Sequence, residues 1–322
     1  MKKFIVPILA VLALVSCQKS FVEPEVGLEP DRKTVKLSVS VPMADTKLVG
    51  VSGESDVKNL QVYVFGAGGN IEKYVNADGN KVEITCTTGP KTIAAVVNGE
   101  PLEVSTLTQL TSSRSCLSEN TVGNLVMFGS VEKQLSSDDS VNILVRRLAS
   151  KIVLKSVRTD FSLPQHKDLD FVVKSIYLQN VAGDCTLASL SGPTLWHNKM
   201  ALESDCLQIL ADTGLERKIE TGVPYETVHS FYCYPNNTAV DVAGGEWSPR
   251  YTRLVIEATH GGTTCFYPIS IPNIESNKVY NVSLLVTQTG SSDPDKSDFD
   301  EKHGFTVTVD DWSEPVDINE TI

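Results

Sequence analysis

The chain has 322 residues, a net charge of −12 and 7 % aromatic side chains. Acidity of this size excludes nucleic acid and anionic lipid surfaces as partners, since both require a basic face. The length allows two domains or one large β domain, either able to bury a core without covalent staples.

At the N-terminus Lys2 and Lys3 precede an apolar run from Phe4 to Val15, interrupted only by Pro7. The run is too short to span a bilayer and ends in small residues, as a secretory signal does. Leu14-Val15-Ser16-Cys17 has the form of a lipobox, so residues 1–16 are expected to be a lipoprotein signal peptide and Cys17 the lipidated residue. One acyl chain binds membranes marginally, whereas the two or three carried by such a cysteine anchor stably. Removing Lys2 and Lys3 with the signal takes the net charge to −14. Residues 17–32 hold two prolines, three glutamates and little apolar periodicity, and are expected to be a flexible tether.

A period-2 pattern then begins. From Thr34 to Val41 every odd residue is apolar and every even one polar, which predicts a half-buried strand ended by Pro42. Residues 60–65 predict a second strand, followed by a hairpin-type turn over Gly66, Gly68, Gly69 and Asn70. Short β-branched runs recur at 82–87, 93–97, 141–145, 148–157, 171–178, 231–234, 254–258, 265–271, 280–286 and 305–309. Residues 102–110 are the only modest helix candidate. Many short strands at regular turn spacing predict an all-β sandwich architecture. The length fits two sandwiches in series, an N-terminal domain over 33–160 and a C-terminal one over 161–322.

No catalytic constellation is visible. The five histidines are scattered, and the SxxK matches at Ser55 and Ser130 lack the accompanying motifs of a serine acyl enzyme. The glycines at 66–69 lack the lysine and the helix of a phosphate loop. The acidic run 293–301 has the oxygen-rich chemistry of a calcium site but not its spacing, and reads as a solvated loop. No metal and no cofactor is expected. Trp196, Trp247 and Trp312 are too dispersed for a sugar-stacking platform and read as packing residues. The six cysteines after Cys17 allow fifteen pairings; most are expected to be small buried apolar side chains.

The order of these segments resembles the fimbrillin family, the type V pilins and FimA-type major fimbrial subunits of Bacteroidia. The resemblance is carried by the lipobox at Cys17, the strand 35–41, Val57-Lys58-Asn59-Leu60-Gln61-Val62-Tyr63-Val64-Phe65, and the stretch 88–98. It continues through Arg146-Arg147-Leu148-Ala149-Ser150-Lys151-Ile152, Phe231-Tyr232-Cys233-Tyr234-Pro235-Asn236, Tyr280-Asn281-Val282-Ser283-Leu284 and Val309-Asp310-Asp311-Trp312. Each piece is weak alone, but together they run along nearly the whole chain.

The resemblance implies two tandem transthyretin-like β-sandwich domains and a structural, non-enzymatic role. It implies a precursor lipid-anchored at the outer membrane, cut by a trypsin-like protease in the loop after the first strand. A strand from another copy or a related pilin would then fill the vacated groove, giving surface fimbriae that mediate adhesion, a homopolymer being the expected form. On this sequence Val35, Leu37, Val39 and Val41 would be the removable plug strand. Lys47 would be the maturation site, a lysine where family members often carry arginine; Arg32 is a second basic position, but a cut there would keep the plug. The tail alternates as Val316, Ile318 and Ile322, interrupted by Glu320, and is the candidate donor strand. The alternative reading is a surface glycan-binding lipoprotein with tandem immunoglobulin-like domains, which requires exposed aromatic platforms.

Overall fold

The computed structural model describes residues 33–42, 53–161, 163–190, 192–241, 246–296 and 304–312. The fold is almost entirely β, as the alternation predicts.

In the first half, β1 (Thr34–Ser40), β2 (Asn59–Gly66), β3 (Ile71–Asp78), β4 (Lys81–Thr87) and β5 (Gly89–Val97) precede a short helix α1 (Leu107–Ser112). Then come β6 (Arg114–Cys116), β7 (Met127–Leu135), β8 (Asp139–Asn142) and β9 (Arg146–Arg147). One sheet has the order β4-β1-β8 and a second β3-β2-β5-β7-β9. The two enclose an apolar cluster in which Val35, Leu37, Val39, Val82 and Ile84 meet Leu60, Val62, Val64, Ile93 and Ala95. Residues 60–65 of β2 are all buried, because the odd-numbered Tyr63 and Phe65 belong to a second cluster on the other face. This doubly covered sheet explains why residues 60–65 are a nearly unbroken apolar run rather than an alternating one.

The second half contains β10 (Ser150–Thr159), a turn of helix α2 (Pro164–Lys167), β11 (Phe171–Gln179), β12 (Val181–Ala182), β13 (Asp184–Thr186) and β14 (Trp196–His197). It continues with β15 (Ala211–Ile219), β16 (His229–Cys233), β17 (Thr252–His260), β18 (Thr263–Ile271), β19 (Lys278–Val286) and β20 (Gly304–Asp311). Two four-stranded sheets, β16-β10-β19-β20 and β15-β11-β17-β18, contribute to the larger apolar cluster. That cluster also takes in Tyr63, Phe65, Ala94 and Val96 from the first half. The described residues from Thr34 onward form one compact unit.

The helix expected over 102–110 begins five residues later. Thr106 caps it, its hydroxyl accepting from the Gln109 amide while the Gln109 side chain accepts from the Thr106 amide, so residues 102–105 stay extended ahead of a capping box. The turn after β2 is a hairpin as expected, with Gly69 at φ +73° and the Gly66 amide donating to the Asn70 carbonyl. The six cysteines after Cys17 are free thiols. Cys86, Cys185, Cys233 and Cys265 are buried, as small apolar side chains should be, whereas Cys116 is exposed and Cys206 half-buried. Burial pushes the Cys185 and Cys233 thiols up to about 12, which leaves them inert at neutral pH.

Candidate functional site

The opening strand is not at an edge. β1 pairs antiparallel with β4, from Thr34 opposite Thr87 to Ser40 opposite Lys81. On its other side it pairs in parallel with β8, from Leu37 opposite Asp139 to Ser40 opposite Asn142. The alternation therefore becomes a two-sided strand: Val35 is 5 % exposed, and Leu37, Val39 and Val41 are fully buried. Around it the Lys36 amide donates to Asp138 Oδ1 at 2.8 Å and the Ile143 amide to the Ser40 carbonyl at 2.9 Å. Asn80 closes the far end, its backbone carbonyl and its side-chain amide bracketing Val41 at 2.9 and 3.1 Å.

Such a strand can be a replaceable part. Withdrawing it would leave β4 and β8 about 10 Å apart, two strand spacings, with facing rows of unpaired backbone groups. The floor of the slot would be Leu60, Val62, Val64 and Ile93, and its wall Val82, Ile84 and Cys86. Any new occupant would need backbone groups for both neighbours and apolar side chains at alternate positions. Cys86 stands opposite Val35, so its thiol reports whether the slot is filled.

The other sequence-predicted positions are distributed differently. Cys17, Arg32, Lys47, Val316, Ile318 and Ile322 lie outside the described residues. Lys47 belongs to the segment 43–52, which directly follows β1 and Pro42, and the donor candidates belong to 313–322, which directly follows Trp312. Among the described residues β20 is the terminal strand of its sheet, paired only with β19 from Lys278 opposite Asp311 to Leu285 opposite Gly304.

The acidic run is corrected by the structure. Asp295 is not solvated: it is fully buried between Arg250 and Arg253 and also accepts from Gln179 Nε2 at 3.3 Å. Arg253 reaches on to Asp241 at 2.7 Å. The carboxylate is thus committed to two buried cations, and among the described residues no group of acidic, histidine and cysteine side chains forms a metal cage. Composition marked the acidic run but could not tell which acid would turn inward.

Histidines and tryptophans that look scattered in sequence are brought together, though not into a reactive centre. His229 lies between Tyr225 and Asp212, with 2.8 and 2.6 Å contacts that tie β16 to β15 across the two sheets. His166 and His260 pack with Phe161, ring centroids 5.2 and 4.4 Å apart from His260. Trp196 and Trp247 meet edge to face at 5.5 Å, and Trp247 Nε1 donates to Asn180. Trp196 and Trp312 are 8 % and 4 % exposed, so neither offers a face to a sugar. The platforms that glycan binding requires are not built from these tryptophans. No helix among the described residues is long and apolar enough to cross a membrane.

Comparison with known proteins places this strand in a family frame. Residues 35–145, which run from the first inward residue of β1 to just past β8, match the family model of the major fimbrial subunit protein (FimA). The fimbrillin resemblance read from the sequence is borne out there. No curated protein matches the chain. Among solved structures, a candidate cell adhesion protein of Parabacteroides distasonis superposes with a TM-score of 0.66 at 17 % identity, over 87 % of this chain and 97 % of that one. A second candidate cell adhesion protein, from Bacteroides eggerthii, gives 0.65 at 20 % identity over 88 % and 98 %. A fimbrilin (FimA) from Porphyromonas gingivalis gives 0.62 at 16 % identity over 86 % and 97 %. At these identities the three structures establish a shared fold.

Proposed function

From a chain whose residues 35–145 are of the major fimbrial subunit type, we propose a structural pilus subunit that polymerises by exchanging β1 for a strand of another subunit. In this reading the precursor is exported as a lipoprotein, anchored at the outer membrane through Cys17. A trypsin-like protease cuts after Lys47, and the lipid, the tether and β1 leave together. The two sandwiches divide just before β10, because Ser150–Thr159 pairs with β16 and β19 of the second half rather than closing the first at residue 160. The partner is another copy or a related pilin, and the product is a surface fimbria that mediates adhesion. No chemistry on a substrate is required.

The observation that supports this reading is the position of β1. It is the middle strand of its sheet, its inward side chains are buried, and the cleavable basic residue lies in the segment directly after it. Burying four such side chains is worth at most about 6–12 kcal/mol. A slot emptied of that strand is strongly driven to take another.

The test combines processing with a thiol probe. Purified precursor should keep Cys86 unreactive toward maleimide. Trypsin-like digestion should yield a species beginning at Leu48 that forms ladders resistant to mild heating in SDS. Digestion in the presence of maleimide should label Cys86, because the thiol is uncovered between loss of β1 and arrival of the next strand. Clean cleavage after Lys47 that leaves only monomers, with Cys86 still protected, would refute the proposal.

A further inference from the structure

Glu54 and Trp312 lie 258 residues apart and meet in the interior. Glu54 is the second described residue after the segment 43–52, and Trp312 the last one before 313–322. Both are buried, at 3 % and 4 % exposure. Glu54 Oε1 accepts from Lys151 Nζ at 2.6 Å and from the Tyr232 hydroxyl at 2.7 Å, while Oε2 accepts from Trp312 Nε1 at 3.2 Å. Its backbone carbonyl accepts from Arg147 Nε at 3.1 Å. Arg147 also donates to Ser55 Oγ and to Asn277 Oδ1, and its guanidinium carbon lies 4.8 Å from the centre of the Trp312 ring. Tyr232 stacks on the same ring, 5.8 Å away and inclined by 10°. The Trp312 backbone is held too, its amide donating to the Asn277 carbonyl at 3.1 Å.

This arrangement has one keystone. Three donors converge on the two oxygens of a single carboxylate, and a neutral amide could serve only those on one side. The same carboxylate offsets the buried charge of Lys151. Trp312 is the buried anchor at this end of β20; on the surface Asp311 pairs with Lys278 and Asp310 accepts from Asn281 Nδ2. The strand is an edge strand, and Thr306, Thr308, Val309, Asp310 and Asp311 are all exposed.

We infer that Glu54 is the catch of a latch on Trp312, holding the C-terminal end of β20 in place. It rests on the proposed function only in giving the residues after Trp312 the role of donor. Glu54 follows the proposed cut at Lys47 by seven residues in sequence. Glu54 is a positioning residue: it sets how firmly the end of β20 is held.

Hydrogen exchange on the intact precursor tests the latch. Glu54→Gln turns one acceptor oxygen into a donor opposed to Trp312, Lys151 or Tyr232, and should speed exchange in residues 304–312 by about tenfold or more. β1 and β17 should be unchanged. Trp312→Phe keeps a ring on Tyr232 and removes only the indole donor, so it should show the same localised effect at smaller amplitude and covers the case in which Glu54→Gln fails to fold. Unchanged exchange in 304–312, or acceleration spread evenly over all strands in both variants, overturns the latch. Ladder formation by the cleaved variants is read separately. Localised loosening without faster ladders upholds the latch and removes the donor role of the tail, so the two ideas fail independently.

Discussion

β1 and β20 stand at opposite ends of the fold with the same local grammar and different surroundings. Val35, Leu37 and Val39 alternate with polar residues in β1 as Phe305, Val307 and Val309 do in β20. β1 has a hydrogen-bonded neighbour on each side and no exposed apolar side chain, whereas β20 has one neighbour and Val309 is 55 % exposed. Removing the first would open a slot with two edges. Removing the second would merely make β19 the new edge. A strand held between two neighbours and a strand at an edge are therefore distinguished by position rather than by pattern.

The contrast can be broken most directly by truncating side chains on each strand in the uncut chain. Leu37→Ala should destabilise by about 2–5 kcal/mol through a cavity that its neighbours cannot close, whereas Val309→Ala should stay within about 0.5 kcal/mol. Denaturant unfolding measures both, and comparable losses would erase the distinction. A similar test asks where the second half draws its strength if not from β20. Asp295→Asn strands Arg250 in the interior, while Arg253 keeps Asp241, and should cost about 3–5 kcal/mol; Asp293→Asn, on a partly exposed residue two positions away, should be close to neutral. Calcium should shift the melting temperature of neither variant.

Acid sharpens the comparison further. Burial alone would raise the Asp184 pKa, but Arg114, the Thr194 hydroxyl and the amides of Thr194 and Leu195 outweigh it and hold the carboxyl well below its usual range. Glu72 is also lowered: burial opposes the shift, and Lys91 and the Thr87 amide overcome it. A depressed folded-state pKa contributes stability that is complete above the ordinary carboxylate range and is lost as pH falls through that range toward the folded value. The denaturation midpoint should therefore hold from neutrality down to about pH 5 and fall below it. Asp184→Asn should lower it at neutrality and flatten the acid limb. The smallest effect is expected at the helix: Thr106→Ala removes the cap of α1 and should cost about 1 kcal/mol, visible as a small shift in the same unfolding curve.

Much of the β architecture was legible because burial writes itself into alternation. Strands with one or both faces in the core, such as β1, β2, β5, β17 and β19, follow the apolar runs closely. β3, β7 and β15 were not anticipated, since most of their side chains are exposed or half-buried and residues such as Glu72, Lys73, Glu132, Lys133, Arg217 and Lys218 mask the period. Backbone pairing with a neighbour, which leaves no mark in side-chain polarity, makes them strands. The candidate site divides in the same way. The apolar side chains of β1 and the basic Lys47 are local features. The Glu54 cluster joins five residues on four different segments, and only Arg147, Lys151, Tyr232 and Trp312 lay within motifs singled out beforehand, with no hint that one glutamate would gather them.

The sequence by itself determined that residues 34–41 and 305–309 are strands, and which side chains of the first turn toward the core, because the period of a strand is a property of adjacent residues. Only the tertiary structure decided that one lies between two neighbours while the other lies at an edge. Pairing is a relation between distant segments, and β4, β8 and β19 carry no local sign of the strand beside them. The same holds for Asp295 and Glu54, whose carboxylates are buried because cations from remote strands meet them there. Local chemistry chose the elements; long-range closure chose which of them lie between neighbours and which at an edge.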